Sequence, residues 1–191
     1  LLQKEKNNLI KEQQKKTEIG IVIKLDTSEN QAKLIYLGIG SNLGNRKNNI
    51  DKAKFKLSEN NISILRESKF YETLSWPNEK DPKFLNIVLE VKTFLSPLKL
   101  LKVCKEIEKI LGRKKTAKNA PRKCDIDILD YSSKKMSKGV ILPHPRMHTR
   151  NFVLFPLFEI NKNWKHPISK KSIKTLICSL SNKEIRSIKK I

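Results

Sequence analysis

The sequence predicts an α+β sandwich, in which helices pack on an antiparallel sheet. Three observations indicate it. From residue 33 onward, apolar patterns typical of strands alternate with patterns typical of helices. One of the predicted helices has residues at both ends that typically begin and end a helix. No apolar run is long enough to cross a bilayer. The chain has 191 residues, 38% of them hydrophobic, which suffices for one domain with a buried core.

The first half of this region predicts a strand, a helix and two more strands. An apolar run that ends in glycines, Leu34 to Gly40, is typical of a buried strand. Apolar residues at helical spacing predict a helix from about Arg46 to Glu59. Two further β patterns, Ile62 to Tyr71 and Phe84 to Phe94, are separated by a proline-containing loop, Ser75 to Lys83.

The second half predicts another helix and a fourth strand. Ser96 is a suitable N-cap, Pro97 suits the first helical position, and Gly112 can end the helix. Cys124 to Tyr131 then reads as a strand. The segment order strand, helix, strand, strand, helix, strand is that of a ferredoxin-like sandwich with helices on one face. Two later segments are predicted to be short peripheral helices, Asn151 to Ile160 and Lys171 to Leu180.

Residues 1–32 differ from the domain predicted over residues 33–191. They are largely polar, and we interpret them as an extension, the tail of a neighbouring domain or a wrongly assigned start. The polar beginning does not resemble a secretory signal, so we expect a cytoplasmic, membrane-free protein. The three cysteines form no C-x-x-C pair, which argues against a disulfide framework or a zinc site and predicts buried free thiols.

The net charge of +22 admits two classes of function. Forty-one Lys and Arg residues against 19 acidic residues suit either a nucleic-acid binder or an enzyme of polyanionic substrates. Much of the excess is lysine scattered through every segment, which is typical of a solvated surface. The charge therefore does not decide between the two classes.

A carboxylate pair in the last predicted strand indicates chemistry. Asp125 and Asp127 project to one face because strand side chains alternate, while Ile126 and Ile128 can enter the core. Two carboxylates on one face suit Mg²⁺, which takes one or two protein carboxylates and completes its shell with water and phosphate. A solvated strand face is the alternative interpretation of an isolated Asp-x-Asp.

Cations on both sides of this pair favour phosphate chemistry. Arg122 and the stretch Arg113 to Lys118 precede it, and His144 and Arg150 follow. The planar fork of arginine binds phosphate oxygens at two points, and a cationic loop could close over a nucleotide. The glycine segment Gly38 to Gly44 fits neither the dinucleotide-binding spacing nor a P-loop.

Seven segments in one order resemble the hydroxymethyl-dihydropterin pyrophosphokinase family across roughly residues 33–167. Each segment is modest support alone, but their shared order makes coincidence improbable. The matching pieces are Tyr36 to Arg46, Phe70 to Thr73, Phe84 to Asn86, Glu106 to Arg113, Pro121-Arg122 with Asp125 to Asp127, Pro143 to Met147, and Arg150 to Glu159.

The resemblance implies a ferredoxin-like fold and transfer of diphosphate from ATP, the co-substrate, to a pterin alcohol in folate synthesis. It implies two Mg²⁺ ions on Asp125 and Asp127, with Arg113 and Arg122 also catalytic. The implied ATP-binding residues are Glu108, Arg113, Lys115, Arg122, Ile128, Pro143, His144 and Arg150. The implied pterin-binding residues are Thr73, Leu74, Trp76, Phe84, Asn86 and Phe152.

Departures from the family pattern lie in the substrate loops. Leu74 stands where proline is frequent, Phe84 replaces a common tyrosine, and Ala120 precedes the Pro-Arg pair where an aromatic residue is usual. The resemblance implies small-molecule substrates, no specific nucleic acid and a monomer. The alternatives are a basic ferredoxin-like RNA-binding module, for which no paired aromatic RNA-binding segment is found, and a weakly active fragment of a bifunctional folate enzyme.

Overall fold

The computed structural model describes residues 32–75, 78–113 and 120–191, and residues 32–191 belong to one compact unit. The prediction for residues 1–32 therefore lies outside the described residues, apart from Ala32. The strands are β1 Lys33–Ser41, β2 Ser63–Glu67, β3 Tyr71–Thr73, β4 Phe84–Thr93, β5 Asp125–Tyr131 and β6 Lys189–Lys190. The α-helices are α1 Arg46–Glu59, α2 Pro97–Ile110, α3 Asn151–Ile160, α4 Ile173–Cys178 and α5 Asn182–Arg186, with a 3₁₀ turn at Met147–Thr149.

The described strands form one six-stranded antiparallel sheet. Its order is β5-β1-β4-β3-β6, and β2 pairs with β4 beside β3. The single strand predicted from Ile62 to Tyr71 is thus two strands. The break falls at Ser68, whose hydroxyl accepts the backbone N–H of Val88 at 3.0 Å. A side chain that takes a backbone donor in this way competes with the strand ladder.

Helices α1 and α2 cover one face of the sheet, as predicted. Their apolar stripes pack on alternate residues of the strands, and the Asn45 and Ser96 side chains cap their first turns. Gly112, at φ +94°, follows α2 in the left-handed conformation that favours glycine. The fully buried side chains of this layer include Ile35, Leu37, Ile39, Ile50, Leu57, Leu100, Ile107 and Ile126.

The opposite face carries a second apolar layer. Two helices were predicted to be peripheral. Helix α3 packs here on the sheet, in one apolar cluster with Tyr36, Val88 and Leu129, and α4 packs against α3 in the same cluster. Helix α3 is apolar on nearly every side, so its sequence shows little periodicity from which its packing could be inferred. The sheet is therefore covered on both faces rather than one, and the prediction of peripheral placement was wrong.

The structure confirms the prediction of buried free thiols for two of the three cysteines. Cys104 and Cys124 are buried free thiols, and burial raises the pKa of each to about 12, whereas Cys178 is exposed. No helix in the part of the chain that the structure describes is both long and apolar enough to cross a bilayer.

A buried polar network fixes the end of α3 on the sheet. Glu90 is 4% exposed and accepts two bonds from Arg66, at 2.6 and 3.0 Å, while Arg66 also donates to the carbonyl of Ile160 at 2.6 Å. The Tyr36 hydroxyl donates to Glu90 at 2.9 Å and accepts from Asn161 at 2.7 Å. Burial raises the pKa of Tyr36 to about 12, so this hydroxyl stays protonated and can donate.

Replacing Tyr36 by Phe should lower the free energy of unfolding by about 1–3 kcal/mol, because the ring still fits while two buried hydrogen bonds are lost. Urea denaturation would measure this change. Asn161→Leu and the double variant complete a cycle, in which the two losses should be less than additive because both remove one shared bond. Full additivity, or no loss for Tyr36→Phe, would contradict the network.

Candidate active site

A cavity of about 690 Å³ opens on the second sheet face, beside the part that α3 covers. Its floor is β1, where Gly38 and Gly40 lack side chains. The strand register places Gly40 between Asp125 on β5 and Asn86 on β4, and Gly38 between Asp127 and Val88. The two carboxylates therefore border a glycine floor rather than a packed core.

Gly40 is the tighter of the two glycines. A Cβ at this position would lie 3.0 Å from Oδ1 of Asn86 and 3.3 Å from Cδ1 of Phe84. The atoms nearest to a Cβ on Gly38 would be those at the end of the Leu129 side chain, at 3.4 Å, which is ordinary van der Waals contact. The side chains of β4 thus occupy the space that a larger residue at position 40 would need.

Asp125 and Asp127 face the cavity, as predicted, and each is paired with cations. Arg113 Nη1 lies 2.7 Å from Oδ1 of Asp125, and Arg122 Nε lies 3.6 Å from its Oδ2. The alternating residues, including Ile126, are buried on the other face. The predicted alternation along β5 is therefore confirmed.

Asp127 has its own pair of partners. Its Oδ2 lies 3.5 Å from Arg150 Nη1 and 3.7 Å from His144 Nε2. The backbone N–H of Arg146 donates to Nδ1 of His144 at 3.2 Å, so the neutral imidazole carries its proton on Nε2, toward Asp127. Burial lowers the pKa of His144, and the charge of Asp127 acts in the opposite direction.

Glu108 binds two of the cavity's cations, Arg113 and Lys105, from a buried position outside the cavity. It is 1% exposed, accepts the backbone N–H of Ile126 at 2.7 Å and Lys105 Nζ at 2.8 Å, and pairs with Arg113. A carboxylate this deeply buried requires such partners. Glu108 does not line the cavity itself. Its role is to hold Arg113 and Lys105, which do line it, in position.

Asn42 holds the backbone of Arg122 in place. Its Oδ1 accepts the N–H of Arg122 at 2.8 Å, and its own N–H donates to the Arg122 carbonyl at 3.1 Å. Its amide nitrogen also donates to Ser75 Oγ at 3.3 Å and to the carbonyl of Pro82 at 3.1 Å. The Arg122 guanidinium lies 5.8 Å from the centre of the Phe84 ring, and its buried Nε has no hydrogen-bond partner among the described residues.

The far end of the cavity is aromatic and amide-lined. Phe84 on β4 and Phe152 on α3 both line it, and the Arg150 guanidinium lies 5.3 Å from the centre of the Phe152 ring. Asn86 donates to Thr73 Oγ1 at 3.1 Å and to the carbonyl of Tyr71 at 3.4 Å. These two bonds fix the orientation of the amide.

Most residues predicted from the sequence meet in this one cavity. Glu108, Ile128 and Pro143 do not line it, and Ile128 is buried in the core on the other face. Trp76 and Lys115 lie outside the described residues. The predicted residues that line the cavity are Thr73, Leu74, Phe84, Asn86, Arg113, Arg122, Asp125, Asp127, His144, Arg150 and Phe152.

Several lining residues were not predicted. Lys105 lies one turn before Glu108 on α2, and its helical spacing could have indicated it. Asn42, which does not line the cavity but binds the backbone of Arg122, was recognised only as part of a matching segment. The other unpredicted lining residues include Arg146, Thr149, Asn151, Lys183, Glu184 and Ser187.

The carboxylate pair fits Mg²⁺ by its chemistry. Asp125 and Asp127 are 25% and 34% exposed in their side chains and offer hard oxygen donors, while Cys104 and Cys124 are directed into the core. Within residues 32–75, 78–113 and 120–191, no group of three or more His, Cys, Asp or Glu could hold a metal ion. Mg²⁺ requires only one or two protein carboxylates, so this set suffices.

Paired carboxylates suited to Mg²⁺, ringed by arginines in one cavity, define a class of protein: an enzyme that acts on a polyphosphate. The model of the 7,8-dihydro-6-hydroxymethylpterin-pyrophosphokinase (HPPK) family matches residues 36–162. The chain belongs to this family.

Similar proteins include single enzymes and longer fusions. The chain is 44% identical over 141 residues to a 2-amino-4-hydroxy-6-hydroxymethyldihydropteridine pyrophosphokinase of Aquifex aeolicus, covering 73% of this chain and 88% of that one. It is 37% identical over 129 residues to the enzyme of that name from Bacillus subtilis, covering 66% and 77%. It is 38% identical to the folic acid synthesis protein fol1 of Pneumocystis carinii over 155 residues, covering 81% of this chain but 21% of that one.

Solved structures with this fold include fused proteins. An HPPK-DHPS structure in complex with substrates matches with a TM-score of 0.62 at 16% identity, over 78% of this chain and 43% of that chain. Wild-type Plasmodium falciparum HPPK-DHPS with pteroate matches with a TM-score of 0.61 at 16% identity, over 76% and 44%. At this identity the likeness shows the fold, and it confirms the predicted α+β ferredoxin-like class.

Gly40→Ala should destabilise the fold by about 1–3 kcal/mol, because the added methyl group must displace Asn86 or Phe84. Thermal denaturation would measure the change, and the NMR signal of the Asn86 side-chain amide should shift. The matched control is Gly38→Ala, which should be neutral or slightly stabilising because a strand glycine costs backbone entropy. Equal effects of the two substitutions would refute the close contact above Gly40.

Proposed function

We propose that the chain transfers diphosphate from ATP to 6-hydroxymethyl-7,8-dihydropterin, releasing AMP and the pterin diphosphate, in folate biosynthesis. One observation carries the proposal: the cation-paired carboxylates of β5 share a cavity with the aromatic and amide groups of Phe84, Phe152 and Asn86. Family membership and the names of the relatives support the same reaction.

The nucleotide half of the cavity is the cationic one. Two Mg²⁺ ions held by Asp125 and Asp127 would supply charge neutralisation on the phosphates. The guanidinium groups of Arg113, Arg122 and Arg150 have the planar geometry that binds phosphate oxygens in pairs. Their contacts with Asp125 and Asp127 support this assignment, because a phosphate chain held at these carboxylates by Mg²⁺ would lie close to the three guanidinium groups.

The pterin half is the aromatic one. A flat heterocycle stacks favourably on the rings of Phe84 and Phe152. The amide nitrogen of Asn86 is already bonded to Thr73 and Tyr71, so its Oδ1, above Gly40, remains to accept an N–H from the pterin edge. This fixed acceptor would select a heterocycle that presents donors along that edge.

The reaction needs no covalent intermediate with the protein. The pterin hydroxyl oxygen bonds to the β-phosphorus of ATP while its proton passes to water. The bond from that phosphorus to the oxygen that bridges it to the α-phosphate breaks, and AMP leaves with that oxygen. The chain's residues contribute by holding the two substrates in line and by placing positive charge on the phosphates. Glu108 and Asn42 keep Arg113 and Arg122 in place for this.

The oligomeric state, the number of metal ions and the cellular location are further parts of the proposal. The monomeric state rests on the family resemblance alone. The number of metal ions, the cytoplasmic location and an origin in a fused folate enzyme stay predictions. RNA binding is not favoured, because no paired aromatic RNA-binding segment is found in the sequence and the acidic pair in the cavity would repel a phosphate backbone in the absence of metal.

The wild-type chain should release AMP from ATP and Mg²⁺ only when hydroxymethyl-dihydropterin is present. Asp127→Asn should lower this rate by about 10³-fold or more, because a metal-binding carboxylate at the reacting phosphates is lost. A coupled AMP assay measures both, and excess chelator should abolish the wild-type rate.

Asp51→Asn is the matched control, since Asp51 lies on α1, outside the cavity, and pairs with Lys54. Its rate should equal that of the wild type. A folded wild-type chain that releases no AMP with pterin would overturn the proposed function. An active Asp127→Asn variant would overturn only the assigned role of Asp127.

A further inference from the structure

The C-terminal segment, Ser181–Ile191, lies beyond the residues 36–162 that match the family model, yet it reaches the cavity. Lys183, Glu184 and Ser187 of this segment line the cavity together with Phe152 and Thr73. The segment therefore borders the aromatic end, where the proposed function places the pterin.

Asn151 attaches the segment to the start of α3. It is 8% exposed, and its amide nitrogen donates to the carbonyl of Glu184 at 2.6 Å and to Ser187 Oγ at 3.0 Å. Its Oδ1 accepts the backbone N–H of Phe152 at 2.6 Å. One buried amide thus links the segment to the residue that forms an aromatic wall of the cavity.

A second attachment joins the segment to β3. Lys190 pairs with Tyr71 across β6 and β3, and the N–H of Ile191 donates to the carbonyl of Phe70 at 2.9 Å. Lys190 Nζ also lies 2.7 Å from Oε1 of Glu159, near the end of α3. Strand β3 ends at Thr73, so both attachments act on elements that line the aromatic end.

The start of the segment is fixed locally. The Ser181 hydroxyl accepts the N–H of Glu184, and the Glu184 carboxylate accepts the N–H of Ser181, which is a capping box. This arrangement sets the direction of the Glu184 carbonyl that Asn151 binds. The nucleotide end is held differently, because Arg113 is fixed by Glu108 and Arg122 by Asn42.

We propose that Ser181–Ile191 is a wall of the pterin pocket and that Asn151 is the positioning residue that holds this wall against Phe152. The inference rests on the proposed function, in which Phe152 stacks on the pterin. It assigns to the segment an effect on pterin affinity that is separate from ATP affinity.

The test compares two asparagines at opposite ends of α3. Asn151→Leu removes the amide that binds Glu184 and Ser187, while Asn161→Leu removes an amide that binds Tyr36, and neither Asn161 nor Tyr36 lines the cavity. Calorimetry would give two dissociation constants. The first is that of a non-hydrolysable ATP analogue in the presence of Mg²⁺, and the second is that of hydroxymethyl-dihydropterin when the protein is saturated with this analogue. Thermal denaturation would be recorded for each variant.

Asn151→Leu should weaken pterin binding about tenfold, because the hydrogen bonds that hold the wall are lost. It should change the affinity for the ATP analogue less than twofold. Asn161→Leu should lower the unfolding midpoint without weakening pterin binding. Ser187→Ala removes one of the two acceptors of Asn151 and should weaken pterin binding by about threefold, so it tests the inference even if Asn151→Leu fails to fold.

Unchanged pterin affinity in Asn151→Leu or, where that variant does not fold, in Ser187→Ala would overturn the inference. The inference would also be overturned if Asn151→Leu lost affinity for the pterin and for the ATP analogue equally, or if Asn161→Leu lost as much pterin affinity as Asn151→Leu. Either result would indicate only a general loss of stability. A folded wild-type chain that binds the analogue but no pterin would instead overturn the proposed function on which the inference rests.

Discussion

The repulsion between Asp125 and Asp127 is the constraint on which the rest of the site depends. Alternate residues of a strand are about 7 Å apart, and two unit charges at that distance repel by roughly 2 kcal/mol at an effective dielectric constant of about 20, so two carboxylates on one strand face need compensation. Three arginines supply it from separate places: Arg113 after α2, Arg122 before β5, and Arg150 before α3. The neutral His144, after β5, directs an N–H toward Asp127. The loops of the fold are arranged so that these charges converge.

The cavity exists because the second apolar layer covers only part of the sheet. Helix α3 packs where Tyr36, Val88 and Leu129 offer apolar side chains, and beyond them the glycines of β1 leave nothing for a helix to bury. The polar network around Glu90 fixes the far end of α3 in this position. Because the same helix begins beside Arg150 and carries Phe152, its packing determines the positions of the Arg150 guanidinium and the Phe152 ring in the cavity.

The sequence predicted those features that local patterns encode. Helix α1 has the predicted bounds because its apolar stripe and its cap are both local, and β5 alternates as predicted because strand geometry requires it. The strand break at Ser68 and the packing of α3 depend on tertiary partners, so no local pattern indicated them. The C-terminal wall was missed for the same reason, since Asn151 binds a backbone carbonyl 33 positions away, which leaves no motif.

The same charges serve the folded chain and, in the proposed reaction, the substrate. The carboxylates pair with the arginines in this structure. If Mg²⁺ bound Asp125 and Asp127 as proposed, Arg113, Arg122 and Arg150 would lose those partners and could bind phosphate oxygens. Glu108 would then still hold Arg113, because it pairs with Arg113 from a buried position that does not depend on Asp125. Metal and nucleotide would therefore be coupled through the arginines, since each would lower the electrostatic cost that opposes the binding of the other.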